Sequence, residues 1–331
     1  MAKLNLTLAC GLYDRTQALF DGTVKVEGVN LNFLPMVPGE TFWRMLNNSE
    51  FDISEMSLSS YSILRSKGDN RFIAIPVFPS RIFRHSGLYI NSDAGIKTPK
   101  DLIGKKIGVG DYQMTAAVWA RGLLQDEYQI NPADMQWIVG ATVQALALPD
   151  NISVTHSGKN NPETLLEQGE VDALISVMIP KKLNQQGSKI FRLFPDYKTV
   201  ESDYYTRTGV FPIMHTIVIK TEFYEKNPWL AISLYKAFVQ AKEMSYQRLF
   251  NTDALTATLP WLVNEVEATR NLMGEDYWDY SIDGSRPTLE ALTRYLYEQG
   301  LTKSQIKIDE LFVKNIDTNL NLYLHGTSEN R

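Results

Sequence analysis

The sequence predicts a two-lobed α/β protein, in which mostly parallel sheets are flanked by helices and a ligand cleft lies between the lobes. Three observations predict this architecture. The chain has 331 residues, 44% of them hydrophobic, which suffices for about two cores. Strand-like and helix-like segments alternate, as they do around parallel sheets. The alternation restarts near residue 93 and a strand returns near 210, so 1–92 and 210–331 are predicted as lobe I and 93–209 as lobe II.

The elements of lobe I follow from alternating or apolar segments separated by helix-start signals. Strands are predicted at 3–9, 29–34, 51–55, 72–77 and 88–91. The first helix is expected to begin with Asp14 as its N-cap, the second at Pro38, and the third at one of the serines after residue 56.

Lobe II and the C-terminal part are read in the same way. Strands are predicted at 106–109, 136–139, 171–177 and 209–219. Helices are predicted at 115–128, from 162 to Gly169, and at 228–249, 255–272 and 288–299, with a short docking segment at 306–312.

Composition excludes several classes of protein. The net charge of -5 argues against nucleic acid or an anionic membrane as a partner. Cys10 is the single cysteine, so no intramolecular disulfide can form. No apolar run reaches 18 residues, and the first residues lack the apolar segment of a secretory signal, so we expect a cytoplasmic protein. A homo-oligomer is compatible with the sequence.

Motifs that bind cofactors or metals are absent from the sequence. It contains no Gly-x-Gly-x-x-Gly, Walker loop, His-Glu-x-x-His, Cys-x-x-Cys or Gly-x-Ser-x-Gly. The four histidines and one cysteine show no metal-ligand spacing. We therefore expect no cofactor and no metal.

Ligands in open α/β sheets bind at the carboxyl ends of strands, beside helix N-termini, which singles out four loops. In the loop after the first strand, Arg15 either binds a carboxylate or is a solvated neighbour of a capping Asp14. In the loop after the third strand, the hydroxyls of Ser57 and Ser59 either cradle an anion or only cap the helix. Glu55, at the end of that strand, is either a general base or the partner of an arginine.

The third loop carries the strongest local signal, since Arg81, Arg84 and His85 lie within five residues between two apolar strands. Arginine binds carboxylates bidentately. A histidine beside two cations is expected to have a lowered pKa, which favours a neutral base near pH 7. The alternative is a solvated basic turn.

The fourth loop precedes the helix predicted to begin at residue 115. Tyr112, Gln113 and Thr115 bring a hydroxyl, an amide and a helix N-terminus together, unless this is an ordinary connecting loop. His215 lies in the returning strand and is either a ligand contact or a buried histidine with a satisfied hydrogen bond. His156 and His325 lie in polar contexts and are not expected to act.

At these loops the chain resembles the 4,5-dihydroxyphthalate decarboxylase family. The segments that carry the resemblance are YDRTQAL (13–19), FDISEMSLSSY (51–61), FIAIPVFPSR (72–81), FRHS (83–86), YQMTAAVW (112–119), FPIMHT (211–216), GEDYW (274–278) and RPTLEAL (286–292). The resemblance runs through nearly the whole chain. It implies a type 2 periplasmic-binding-protein-like fold and the cofactor-independent decarboxylation of a hydroxylated aromatic dicarboxylate, such as 4,5-dihydroxyphthalate to 3,4-dihydroxybenzoate.

Such a reaction needs an anion clamp, a base and a proton donor. We expect Arg81, Arg84 and Arg15 to hold the carboxylate that stays. Hydrogen bonds are expected from two further loops, which contain Ser57, Ser59, Tyr112, Gln113 and Thr115. His85 is the first candidate for acid–base work, followed by Glu55 and His215. Two alternatives remain: a non-catalytic binding protein for a small aromatic carboxylate, and a sensor or synthase acting on another small acid.

Overall fold

Residues 2–140, 148–158 and 161–316 are described by the computed structural model, and they divide into two units. Unit 1 holds the described parts of Met1–Arg81, His215–Leu289 and Lys307–Arg331, and unit 2 holds those of Ile82–Met214 and Glu290–Ile306. The units differ from the predicted lobes in three places, one of which is the short segment 210–214, predicted in lobe I but part of unit 2. Residues 82–92 belong to unit 2 because their strand pairs within its sheet, and residues 290–306 also belong to it.

The five-stranded sheet has the order β2-β1-β3-β11-β4. Its strands are β1 (Leu4–Cys10), β2 (Val29–Pro35), β3 (Ile53–Ser57), β4 (Phe72–Arg81) and β11 (Ile213–Lys220). β1 pairs in parallel with β2 and β3, whereas β11 runs antiparallel to β3. This pairing brings the ends of β1 and β3 to one edge of the sheet and lays the start of β11 beside the end of β3.

The helices that begin in unit 1 follow the predicted order with different bounds. They are α1 (Asp14–Phe20), α2 (Pro38–Asn48), α3 (Leu58–Ser66), α7 (Thr221–Lys226), α8 (Trp229–Leu249), α9 (Leu262–Met273) and α10 (Arg286–Glu298). The N-cap of α1 is Tyr13, and Asp14 is the first helical residue, so the predicted N-cap was wrong by one position. The predicted helix at 255–272 begins only at Leu262, because residues 250–261 form turns and bends.

Unit 2 is built on a six-stranded sheet of order β10-β5-β9-β6-β7-β8. Its strands are β5 (Leu88–Asn91), β6 (Lys106–Val109), β7 (Gln136–Val139), β8 (Ser153–His156), β9 (Ala173–Ile175) and β10 (Ile190–Arg192). β6 pairs in parallel with β7 and β9, and β7 does so with β8, whereas β5 is antiparallel to β9 and β10. The helices α4 (Thr115–Tyr128), α5 (Pro162–Gln168) and α6 (Tyr197–Thr208) belong to this unit.

Three elements of unit 2 were missed by the sequence patterns. β8 and β10 are short strands of four and three residues, which gives little room for alternation. α6 is mostly polar, but Asp196 caps its start and Gly209, with φ of 65°, ends it. The predicted strand at 171–177 shrinks to β9, and Val177 and Met178, which follow Ser176, are exposed. Among the described residues, no helix combines the length and apolarity needed to cross a membrane.

Candidate active site

Five residues of unit 1, which we call the Glu55 cluster, meet where β1 and β3 end and β11 begins: Cys10, Gly11, Tyr13, Glu55 and His215. Parallel pairing of β1 with β3 places their carboxyl ends side by side. The antiparallel register of β11 sets His215 opposite Ser57 on β3, two residues beyond Glu55. Three segments that are distant in sequence thus supply one polar cluster.

Glu55 is the centre of this cluster. Its side chain is fully buried, and Oε1 accepts hydrogen bonds from Tyr13 Oη at 2.7 Å and His215 Nδ1 at 2.6 Å. Oε2 accepts from the Gly11 amide at 2.7 Å and from Cys10 Sγ at 3.5 Å. Burial by itself raises the pKa of Glu55, but His215, Gly11 and Tyr13 together hold that pKa below its ordinary value. Glu55 is therefore a carboxylate whose two oxygens each accept two hydrogen bonds.

His215 is oriented by this carboxylate. Because Glu55 can only accept, Nδ1 of His215 carries a hydrogen, and Nε2 is the ring nitrogen left for proton exchange. The side chain is 17% exposed, and Phe42 packs edge-on against the ring at 4.8 Å between centroids. A carboxylate that fixes an imidazole in this way is the arrangement of a general acid–base.

Arg15 is held by protein groups. Its guanidinium lies between the rings of Tyr13, at 4.3 Å, and Trp278, at 4.1 Å. Nε donates to the Pro79 carbonyl at 2.6 Å, and Nη1 donates to Asp14 at 2.9 Å. Most of the donors with which Arg15 would bind a carboxylate are thus in use within unit 1.

Arg81 is held in a similar way. Its buried guanidinium donates through Nη2 to the Asp279 carbonyl at 2.7 Å and to the Ser285 hydroxyl. These bonds tie the end of β4 to the segment that precedes α10. Burial lowers the pKa of Arg81 to about 10, against the raising effect of nearby Asp279.

Ser57 and Ser59 are both buried at the start of α3. The Ser57 hydroxyl accepts from the Ser60 amide at 3.4 Å and lies 3.2 Å from the Ser59 hydroxyl. The capping role that the sequence left open is therefore observed for Ser57. Since Ser57 is also the register partner of His215, it lies beside the Glu55 cluster.

Arg84, in unit 2, has a different environment from the other two arginines. It is 5% exposed, and Nε and Nη2 donate to the thioether sulfur of Met214 at 3.2 and 2.7 Å. A thioether is a weak acceptor. Burial lowers the pKa of Arg84 to about 10, with Glu201 and Tyr89 opposing that shift. Among the described residues, Arg84 has no ion pair.

His85 is a fully buried side chain of unit 2. Its ring packs edge-on against Phe194 at 5.2 Å and Tyr204 at 5.4 Å. Within the described part of the chain, neither ring nitrogen has a hydrogen-bond partner. Burial, assisted by the charge of Arg207, lowers the pKa of His85 to about 4. The sequence also predicts a lowered pKa for His85. The main cause is burial, however, and not the neighbouring Arg81 and Arg84.

The lowered pKa of His85 makes the stability of the fold depend on pH. In the unfolded chain His85 has the ordinary histidine pKa of about 6.5 and takes up a proton below that pH. In the folded chain it is protonated only near pH 4. Stability is therefore lost as the pH falls through this window. Between pH 7 and 4.5, we expect the wild-type unfolding free energy in urea to fall by about 2.4 kcal/mol more than that of His85→Leu. Equal pH dependence in the two proteins would contradict this assignment.

Tyr112, Gln113 and Thr115 are all buried in unit 2, at the start of α4. Arg121 stacks on the Tyr112 ring at 3.7 Å and donates to the Tyr112 carbonyl at 2.7 Å. The backbone amide of Gln113 donates to Oδ1 of Asp111 at 3.1 Å. The loop is thus fixed by its own side chains. Of the two remaining histidines, His156 is exposed on β8, and His325 lies outside the described residues.

Sequence patterns assigned no role in the site to Gly11 or Tyr13, although both lie just after the end of β1. The loop itself was singled out by its place at the carboxyl end of the first strand, with Arg15 as the candidate residue.

Comparison with known proteins gives two kinds of likeness. No family model matches the chain. It is 37% identical over 320 residues to the 4,5-dihydroxyphthalate decarboxylase of Comamonas testosteroni, covering 94% of this chain and 97% of that protein. It is 40% identical over 217 residues to the protein of the same name from Pseudomonas putida, covering 62% of this chain and 83% of that one.

Solved structures resemble the chain in fold. The putative periplasmic sulfonate-binding protein SsuA of Methylobacillus flagellatus has a TM-score of 0.56 and 16% identity, covering 98% of this chain and 97% of that one. SsuA of Escherichia coli has a TM-score of 0.55 and 12% identity, covering 95% and 93%. The desulfurization enzyme DSZB has a TM-score of 0.51 and 15% identity, covering 98% and 100%. The predicted binding-protein-like α/β fold is confirmed.

Proposed function

Because this chain belongs to the 4,5-dihydroxyphthalate decarboxylase family, we propose that it removes one carboxylate from 4,5-dihydroxyphthalate and releases 3,4-dihydroxybenzoate. The observation that carries the mechanism is the bond of 2.6 Å between His215 and Glu55. It supplies a positioned acid–base group, which a decarboxylase needs and a simple binding protein does not.

The chemistry requires one proton to be delivered to carbon. Direct loss of carbon dioxide from an aryl carboxylate would leave an unstabilised carbanion in the ring plane. In the proposed route, Nε2 of protonated His215 donates its proton to the ring carbon that bears the leaving carboxylate. The hydroxyl para to this carbon releases its proton to solvent, and the ring becomes a dienone.

The dienone then collapses to product. The bond from the ring to the carboxylate breaks, carbon dioxide leaves, and the electron pair of that bond restores the aromatic ring. The para oxygen and Nε2 of His215 each regain a proton from solvent, so the net change on the substrate is one carboxylate replaced by one hydrogen. Glu55 stabilises the His215 cation before transfer and keeps Nε2 as the transferring nitrogen.

Incubation of the purified chain with 4,5-dihydroxyphthalate tests the function directly. We expect carbon dioxide and 3,4-dihydroxybenzoate in equal amounts, and no product from phthalate, which lacks the para hydroxyl. Binding of 4,5-dihydroxyphthalate without carbon dioxide release would instead support the alternative, a non-catalytic binding protein.

We further propose Arg84 as the residue that binds the carboxylate that stays. Its guanidinium is buried, charged and bonded to a weak thioether acceptor, so a carboxylate would be a stronger partner. Too strong a hold on the departing carboxylate would stabilise the ground state. Arg15 and Arg81 remain predictions as additional contacts, because protein carbonyls already occupy their donors.

Arg84→Lys is expected to raise KM by at least about tenfold, because a lysine keeps the charge but loses the bidentate geometry. kcat should change less than KM. The matched control is Arg44→Lys, which alters a half-buried arginine paired with Glu40 and Glu50. Equal KM values for the two variants would remove Arg84 from substrate binding.

The other predictions about the site stay open to test. Ser57, Ser59, Tyr112, Gln113 and Thr115 remain predicted substrate contacts, and His85 remains the alternative acid–base residue. The cytoplasmic location and a homo-oligomeric state likewise remain predictions, which cell fractionation and light scattering would check.

A further inference from the structure

The hydroxyl of Tyr13 is bonded to the carboxylate that holds His215, although the sequence drew attention to Arg15 in this loop. We propose that Tyr13 is a positioning residue for proton transfer: by donating to Glu55, it fixes the carboxylate and limits how strongly Glu55 stabilises the imidazolium from which Nε2 gives up its proton. This inference rests on the proposed function, since it concerns the acidity of the same proton donor.

The two donors share one oxygen. Tyr13 Oη lies 2.7 Å from Glu55 Oε1, and His215 Nδ1 lies 2.6 Å from the same atom. Each bond withdraws negative charge from that oxygen, so the tyrosine bond weakens the pull of the carboxylate on the imidazole. Burial and the charge of Glu55 raise the pKa of Tyr13, which keeps the phenol protonated and therefore a donor.

The Tyr13 ring packs closely against the backbone of Gly11. A Cβ atom at residue 11 would lie 2.6 Å from two ring carbons of Tyr13 and 2.8 Å from its hydroxyl. Only a residue without a side chain lets the ring approach the backbone in this way. The same glycine donates its amide to Glu55 at 2.7 Å, so one residue serves both partners.

Arg15 packs on the Tyr13 ring and is itself packed against Trp278. The Arg15 guanidinium stacks on Tyr13 at 4.3 Å and on Trp278 at 4.1 Å. Pro79 fixes Arg15 through its carbonyl, and Trp278 Nε1 donates to the Phe78 carbonyl at 2.9 Å. The phenol thus sits in a rigid stack anchored to the end of β4.

Within the ranges that the structure describes, few titratable groups face the Glu55–His215 pair. Cys10 comes from the end of β1, Tyr13 and Arg15 come from the start of α1, and the side chain packed on His215 from α2 is the apolar Phe42. Cys10 Sγ, at 3.5 Å from Oε2, is a weak donor. Tyr13 is therefore the neutral side chain best placed to tune the pair.

Tyr13→Phe is the direct test, because it removes only the hydroxyl. We expect kcat to fall about tenfold while KM changes less than about twofold. The alkaline limb of the kcat profile should move to higher pH, since Glu55 would hold the imidazole proton more tightly. In proton NMR, the downfield resonance of the His215 Nδ1 hydrogen should shift further downfield.

Tyr295→Phe is the matched control, because its hydroxyl also donates to a carboxylate, Asp126, at 2.6 Å, but within unit 2. It should lower the melting temperature without moving the pH profile. A Tyr13→Phe variant with wild-type kcat and pH limb would overturn the inference. Failure of the proposed function looks different: the wild-type chain would release no carbon dioxide, while the downfield shift could still be measured.

Discussion

His215→Gln is expected to lower kcat about a thousandfold, because glutamine can fill the site and hydrogen-bond to Glu55 but cannot donate a proton to carbon. Binding of 4,5-dihydroxyphthalate should survive, since the imidazole acts mainly in the transition state. Single-turnover release of carbon dioxide and equilibrium binding, measured on the same preparation, separate the two effects.

The control for this variant is His156→Gln, which changes an exposed histidine on β8. It should retain wild-type turnover. If His215→Gln keeps most of its turnover while His85→Ala loses about a hundredfold, then His85 is the acid–base residue, as the sequence first suggested. Melting temperatures near that of the wild type would exclude unfolding as the cause in either variant.

Glu55→Gln is expected to be damaging twice, in stability and in turnover. The glutamine amide would bring a donor into a pocket already lined by the donors Gly11 N–H, Tyr13 O–H and His215 Nδ1–H. At least one buried donor would lose its acceptor, which should lower the free energy of unfolding by about 2–3 kcal/mol. Turnover should fall about a hundredfold, because His215 loses the charge that stabilises its cation.

Glu201→Gln offers a matched control for the stability effect. Glu201 is also buried, and its Oε1 accepts from the Ser86 amide at 2.8 Å, a bond that a glutamine oxygen can still accept. Its cost in urea unfolding should stay within about 1 kcal/mol. A Glu55→Gln variant as stable and as active as wild type would show that the carboxylate does not hold His215.

The sequence by itself determined most of the strands and helices, with β8, β10, α6 and α7 as the exceptions, and the loops that carry polar side chains. Period-two and apolar runs encode strands locally, and proline, serine and glycine signals mark helix ends, so these features need no long-range information. The long segments that resemble the decarboxylase family also indicated the correct family, because shared residues at the strand ends can be recognised from the sequence alone.

Only the tertiary structure decided which polar groups meet. Glu55 and His215 are 160 positions apart, and they touch because β11 inserts antiparallel beside β3 in a particular register. Burial decided the rest. Arg15 and Arg81 proved to be bonded to carbonyls, whereas His85, the first choice from sequence, lies among aromatic rings. Strand order, register and burial arise from contacts between distant segments, and local polarity patterns do not encode them.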